Sequence, residues 1–473
     1  MRRLISLLKR KETLSIGVYG LATVLSALLT LLLTRILWRS LDGTAFGVWS
    51  LIDPLLAPVA SMVLVGVDFA VVKQFRMDHL PMRVVVGHLL VTGLPAALLC
   101  LAGVALIAFY GFHITWMAAL LATVLGEALI RLLSTALRAT GDVYWYAAIQ
   151  VGRNLVYIAL LLLTIHELST VPLDNDFVFA ARGACMIGVS LLALALFRPS
   201  LRFDARHYAE AVRYGFPLLM ATFFYSASDM VDRVILAHFA GVELAGIYAV
   251  HLKIAAFLSQ AIVIPFGLWF PPERFKHAED VDGGNAFFIA TALALTVIAT
   301  VSAGGVWLAR DILMSIIAPG THASAVVTAA CLGSVIGLAL SQALNVGLLL
   351  PGQTLKNTYC VIFAVLATLV VSVVAVPWLH MVGASYGRLA NGVVFAIVTA
   401  AWSYAVTPIR FPFAAMAGYF VVSALELVGI DAMTAGRGLL ATGEGLVAWL
   451  AISTLTVAGL VMVVRPQRIP ASA

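Results

Sequence analysis

Apolar blocks about twenty residues long recur from one end of this chain to the other, each closed by a short polar joint. A helix of that length crosses the ~30 Å hydrocarbon layer of a bilayer and satisfies its backbone N–H and C=O groups within itself. The ten-residue alternating strands of a membrane barrel are missing. Only 11% of the residues are charged and 62% are hydrophobic, whereas roughly a quarter of a soluble domain is charged. A water-soluble fold is excluded, and the chain is expected to be an all-α polytopic membrane protein.

The blocks predict about fourteen helices. Six come first: Leu14–Leu37, Thr44–Val67, Val84–Tyr110, Thr115–Leu137, Val143–Ile165 and Phe177–Phe197. Six more follow at Ala211–Leu236, Leu244–Phe270, Asn285–Leu308, Ala323–Leu350, Lys356–Val376 and Val382–Val406, then two at Phe411–Ile430 and Glu444–Val464. The first block follows Arg2, Arg3, Lys9, Arg10 and Lys11 as a signal peptide would, yet it is too long for an h-region and has no small-residue cleavage site. It is read as a retained first helix.

Basic residues favour one side. The joints with Lys73, Arg76 and Arg83, with Arg138, with Arg198 to Arg213, with Arg274 and Lys276, and with Lys356 and Arg410 share the side of the N-terminus, while the opposite joints hold few. Both termini are therefore expected in the cytoplasm. Net charge of +6 is accounted for by these helix ends, without a basic face for nucleic acid.

Phe46-Gly47-Val48-Trp49 recurs as Ala245-Gly246-Ile247-Tyr248, and Leu137-Arg138-Ala139-Thr140-Gly141 as Leu348-Leu349-Leu350-Pro351-Gly352, each after about 200 residues. A six-plus-six duplication follows, with the copies in like orientation about a pseudo-two-fold along the membrane normal. The expected domains are an N-lobe over 1–197, a cytoplasmic interfacial linker over 198–213, a C-lobe over 214–406, and two further helices with a tail over 407–473. The linker alternates Leu201, Phe203, Tyr208 and Val212 with Arg202, Arg206, His207 and Arg213, as an interfacial helix does.

Charges deep in apolar blocks face a wet cavity or a partner. Arg153, Lys253 and Arg388 lie furthest from helix ends and are the candidate cavity cations; Arg35, at a helix end, is a fourth that either snorkels or serves. The alternative for each is a buried pair with a carboxylate such as Asp53 or Glu426. Asp53 and Asp229 are possible coupling carboxylates, Asp229 otherwise pairing with Arg233. Glu127 and Arg131, four apart, are expected to neutralise one another. Pro54, Pro58, Pro95, Pro217, Pro265 and Pro377 supply bends, and Gly333/Gly337 and Gly383/Gly387 form small-residue packing faces.

No motif of known chemistry survives inspection. Gly383-Ala384-Ser385-Tyr386-Gly387 matches a nucleophile elbow but opens a membrane helix, not a strand-to-helix turn. The phosphate-loop, H-E-x-x-H and C-x-x-C patterns are absent, and Cys100, Cys185, Cys331 and Cys360 lie in apolar blocks. No cofactor, metal or enzymatic activity is expected.

Tyr214-Gly215-Phe216-Pro217, then Asp232, Ile235-Leu236, Gly241 and Gly246-Ile247-Tyr248, resembles the polysaccharide (Wzx-type) flippases of the multidrug/oligosaccharidyl-lipid/polysaccharide exporter superfamily. Gly47-Val48-Trp49 with Val65-Gly66-Val67-Asp68-Phe69-Ala70 looks like their N-terminal counterpart. The resemblance implies a V-shaped, two-lobed bundle in the bacterial inner membrane, acting by alternating access as a monomer. It implies an undecaprenyl-diphosphate-linked oligosaccharide as cargo, moved outward for surface or exported polysaccharide, with membrane lipids, a polymerase and glycosyltransferases as associates. A diphosphate fits the cations Arg153 and Lys253. The alternatives are a cation-coupled drug or metabolite antiporter of the same superfamily and, from another class, a membrane polysaccharide polymerase or ligase, which the short outer joints disfavour.

Overall fold

The computed structural model describes residues 11–76, 81, 83–87, 90–91, 98–99, 101–103, 105–106, 117–167, 174–198, 200, 205–277, 281–351, 353–407, 409–434 and 439–464. Among them every regular element is helical: α1 Lys11–Ser40, α2 Gly43–Val63, α3 Met117–Thr140, α4 Val143–Glu167, α5 Asn175–Phe197, α6 Ala205–Ser228, α7 Val231–Ala240 and α8 Val242–Leu258. The rest are α9 Ile264–His277, α10 Val281–Leu308, α11 Ala325–Leu344, α12 Thr354–Leu379, α13 Met381–Val406, α14 Phe413–Thr434 and α15 Leu439–Val464. Short pieces Val67–Ala70, Val71–Arg76, Arg310–Ile317 and Val346–Leu349 intervene.

Eleven of the described helices are long and apolar enough to cross a membrane, and Thr442–Ala458 forms a shorter apolar one. The difference from about fourteen has named sources. The third expected block, Val84–Tyr110, lies largely outside the described residues. The seventh is broken: α6 stops at Ser228 and α7 begins at Val231, with Asp229 N–H bonded to the Ser226 carbonyl at 3.0 Å instead of continuing the helical ladder. Nor do the described residues of the expected linker stand apart as an interfacial helix. From Ala205 they run without interruption into α6.

Helix boundaries follow local chemistry. The Asp42 carboxylate accepts from Ala45 N–H at 2.6 Å and caps α2; Asp174 does the same for α5 through Phe177 N–H at 2.9 Å. Gly141 and Gly241 take the left-handed turns after α3 and α7. Pro265, lacking an N–H, follows a π-turn over Ser259–Val263, in which Ile264 N–H reaches back to Ser259. That turn absorbs the bond proline cannot make.

Two compact units divide the chain, Met1–Ala249 and Val250–Ala473. In the first, α1 turns Leu21, Leu25, Leu28 and Leu32 outward and buries Ala22, Ala27, Leu33 and Leu37. The exposed leucines, spaced 4, 3 and 4, make the face expected against lipid. Glycines bring the other helices together. A methyl on Gly126 of α3 would stand 2.6 Å from Met186 Cβ of α5, and one on Gly183 would stand 2.8 Å from Ala122 of α3. Helix α2 is held at both ends in this way, at Gly47 against Val242 and at the following turn, where Gly66 meets Gly215 of α6. Beside that second contact Val67, Ala70, Val71, Leu132, Ala136 and Ala211 form a dry core.

In the second unit α12 and α13 form a hairpin in which Gly383 meets Ala375, Gly387 meets Ser372, and Asn391 Nδ2 donates to Thr368 Oγ1 at 3.0 Å. Helix α11 lies on α13 through Gly337 and Gly392. Such contacts do in a bilayer what hydrophobic burial does in water, since lipid offers no solvent from which apolar side chains need to escape. Trp449 of α15 is fully buried beside Gly304 and donates Nε1–H to Val301 at 2.9 Å. Arg310 grips Asp431 with two bonds of 2.8 and 3.1 Å.

Candidate functional site

Helix α3 carries Glu127, Arg131, Ser134 and Arg138, spaced 4, 3 and 4, which places all four on one face over about three turns. The antiparallel α4 answers with Tyr146, Gln150 and Arg153. Gln150 Nε2 donates to Ser134 Oγ at 3.1 Å and Arg153 Nη1 approaches Glu127 Oε1 at 3.5 Å. Between the two helices, with Ala57 of α2 as a wall, opens a polar cavity of about 350 Å³. It begins at the exposed Arg138, which bonds Thr135 Oγ1 at 3.0 Å, and deepens to Glu127, only 8% exposed. Eleven helical residues separate these two, about 16 Å, or half the hydrocarbon layer.

Three guanidinium groups and one carboxylate line this space. Arg131 is fixed from behind, because its Nε donates to Asp68 Oδ2 at 2.6 Å and its guanidinium lies 5.6 Å from the centre of the Phe69 ring. Asp53 of α2 pairs with Arg182 of α5, both side chains being largely buried. Buried charges thus occur as partnered sets, as the price of an isolated charge in hydrocarbon demands. Partnering is incomplete: Glu127 Oε2 and Arg153 Nε are buried without a hydrogen bond. A net-positive, polar cavity with planar donor forks suits an anion rich in oxygen, such as a phosphate.

Of the six residues singled out from sequence, the cavity takes in Arg153 alone. Asp53 is engaged by Arg182. Half-buried Arg35 lies in the last turns of α1, and half-buried Asp229 at the break between α6 and α7. Half-buried Lys253 and Arg388, on α8 and α13, belong to the second unit. Glu127 and Arg131 do not neutralise each other as their spacing suggests; each finds a partner on another helix, Arg153 and Asp68. Ser134, Tyr146 and Gln150 carry no signal of their own in the sequence, and Arg138 reads there only as a joint cation, although the polar stripe on α3 is visible as a spacing. Among the described residues no group of His, Cys, Asp and Glu is placed to hold a metal ion.

No protein-family model and no curated protein sequence matches the chain. Solved structures do. One described as the lipid II flippase MurJ in an inward closed conformation superposes with a TM-score of 0.71 at 10% identity, covering 95% of this chain and 99% of the other. The chain shares its fold with that structure. An inward-facing conformation of a multidrug resistance MATE family transporter of the MOP superfamily gives 0.61 at 14% identity over 82% of this chain and 94% of its own. An outward-facing conformation of a MATE family transporter gives 0.53 at 14% over 84% and 96%. At such identities the likeness is one of fold.

Proposed function

We propose that this chain is a flippase. It carries an oligosaccharide linked through a diphosphate to a polyprenyl lipid across the bacterial inner membrane, by alternating access, for the building of surface or exported polysaccharide. The observation that carries the reading is the arginine-lined cavity between α3 and α4, which runs about 16 Å along α3 from Arg138 to the buried Glu127. A drug-sized organic cation would be repelled there, whereas a diphosphate is drawn in. The second unit, taken by itself, carries two apolar clefts, one of about 310 Å³ walled by α10, α11 and α14 and one of about 520 Å³ walled by α11, α13 and α14. The likeness to a MurJ structure supports the same direction.

In this reading Arg153 and Lys253 meet the diphosphate, with Arg388 and Arg35 as further cations, and the Lys/Arg-rich joints and both termini are cytoplasmic. The rival antiporter asks for a deep carboxylate at liberty to trade cations; Asp53 is held by Arg182, and Glu127, the one carboxylate lining the cavity, faces Arg153 at 3.5 Å among three guanidinium groups. Arg153→Ala or Lys253→Ala is expected to abolish polysaccharide export while protein stays in the membrane, and Lys253→Arg to keep part of it. Full export by the double alanine variant would overturn the proposal.

A further inference from the structure

We infer that the turn Gly66-Val67-Asp68-Phe69 couples occupancy of the cavity to the joint between α2 and α6: an anionic diphosphate arriving at Arg131 displaces Asp68, and the joint loosens. The inference rests on the reading of the cavity as a diphosphate site and adds the device by which the site is felt elsewhere.

Asp68 sits on the short helix Val67–Ala70 and is 2% exposed. Its Oδ2 accepts from Arg131 Nε at 2.6 Å, and its Oδ1 is buried with no hydrogen-bond partner. Phe69, next along, lies against the same guanidinium. Two neighbouring residues of one turn therefore hold one arginine from behind, while that arginine lines the cavity in front. Among the described residues Asp68 takes the one hydrogen bond Arg131 makes, through Nε, and a diphosphate that draws the guanidinium forward into the cavity takes it from that bond.

The turn is also the joint. Val65 has φ 52° and Gly66 φ 74°. A β-branched residue in the left-handed region stores strain that the surrounding structure must hold in place. Gly66 and Gly215 touch backbone to backbone: a methyl on Gly66 would stand 2.7 Å from the Gly215 carbonyl oxygen, and one on Gly215 would stand 1.9 Å from that of Gly66. Once Arg131 turns its charge to a diphosphate, Asp68 is a carboxylate with neither oxygen paired, beside Val67, Ala70, Val71, Leu132 and Ala136. Burial of an unpaired charge is not sustained. The turn moves until the carboxylate is wet, which relieves Val65 and parts the two glycines.

The test uses the full chain in nanodiscs, its four cysteines replaced, with spin labels at Met62 and Arg213, both exposed residues flanking the joint. Inorganic pyrophosphate is expected to lengthen the label-to-label distance in the parent. Asp68→Asn is expected to bind pyrophosphate about fivefold tighter or more, within the usual 5–150-fold range of coupling, while its distance no longer responds. Asp68→Ser serves if the Asn variant does not assemble, and Arg131→Gln is expected to lose binding. Binding by the parent with an unmoved distance, or a distance that still responds in the neutral variants, overturns the coupling and leaves the cavity reading intact. No binding of pyrophosphate or farnesyl diphosphate overturns the cavity reading and the coupling with it. Farnesyl diphosphate is expected to bind tighter than pyrophosphate; equal affinities overturn a lipid-linked cargo and leave the coupling standing.

Discussion

Replacing Gly47 by alanine tests whether α2 and the start of α8 are held by backbone contact. The added methyl lands 2.2 Å from the Val242 carbonyl oxygen, 2.7 Å from Val242 Cγ1 and 2.8 Å from the Val242 carbonyl carbon. Carbon and oxygen rest at about 3.3 Å or more, so the backbone at Val242 must withdraw by roughly 1 Å. No flexible side chain is there to yield. Overpacking of this kind costs about 1–3 kcal/mol, or roughly 5–150-fold in an equilibrium between closed and parted states. Alanine is also the better helix former by about 0.8–1.0 kcal/mol, and that gain within α2 offsets part of the loss. Melting temperature is therefore a poor readout, and contact itself is the right one. Cysteines at Gly43 and Glu243, where a Gly43 methyl would lie 3.0 Å from Glu243 Cγ, report it in a background without Cys100, Cys185, Cys331 and Cys360. Gly47→Ala should lower the disulfide yield several-fold at unchanged helicity by circular dichroism. An unchanged yield would refute the reasoning, because the two backbones would then not need to meet.

Other outcomes follow from the same contacts. The disulfide of the Gly43→Cys/Glu243→Cys variant should block transport and release it on reduction; full crosslinking with undiminished transport would rule out parting of α2 from α8 as a step. Asp53→Asn or Arg182→Gln alone should destabilise the chain by about 3–5 kcal/mol, as loss of one partner of a buried pair does, and the double variant by less, measured by denaturant unfolding in micelles. Trp449→Phe should lose about 0.5–1.5 kcal/mol with its bond to Val301, and Trp449→Ala about 3–5. Reporter fusions at His207 and Asp174 should give opposite signals; like signals at both would overturn the assigned sidedness.

Span positions were legible in the sequence because the bilayer imposes a single length on every crossing, and most blocks reappear as helices with ends shifted by a few residues. The small-residue faces were legible for a similar reason, since spacing alone puts Gly383 and Gly387 on one side of α13, where Ala375 and Ser372 meet them. Partners were another matter. Glu127 and Arg131 look like a self-contained pair along the chain, yet tertiary packing offers each a partner on another segment, and a one-dimensional rule cannot rank the two. Arg138 reads as a helix-end cation, and it is one; that it also forms the mouth of a cavity depends on what α4 places opposite. The break at Asp229-Met230 has no proline or glycine to announce it.

The short motifs that resembled a family fall at joints. Gly47 packs on Val242 with Trp49 buried beside it, Gly66 meets Gly215, and Gly246 approaches Gly47. Asp232, fully buried, accepts the Tyr248 hydroxyl at 2.7 Å and its neighbour's N–H at 2.9 Å, while Arg233 reaches the Ser50 carbonyl at 3.1 Å. These are positions where a Cβ, or the loss of one carboxylate, would push helices apart, so the architecture itself dictates the residue. The cavity wall is tied differently. Arg131 and Arg153 answer buried carboxylates on other segments, Asp68 and Glu127, and Arg138 and Gln150 bond Thr135 and Ser134 of α3, so what fixes these residues is a partner and not a backbone contact. Joint residues are therefore legible as motifs, while the residues of the cavity become legible only once α3 and α4 are set side by side.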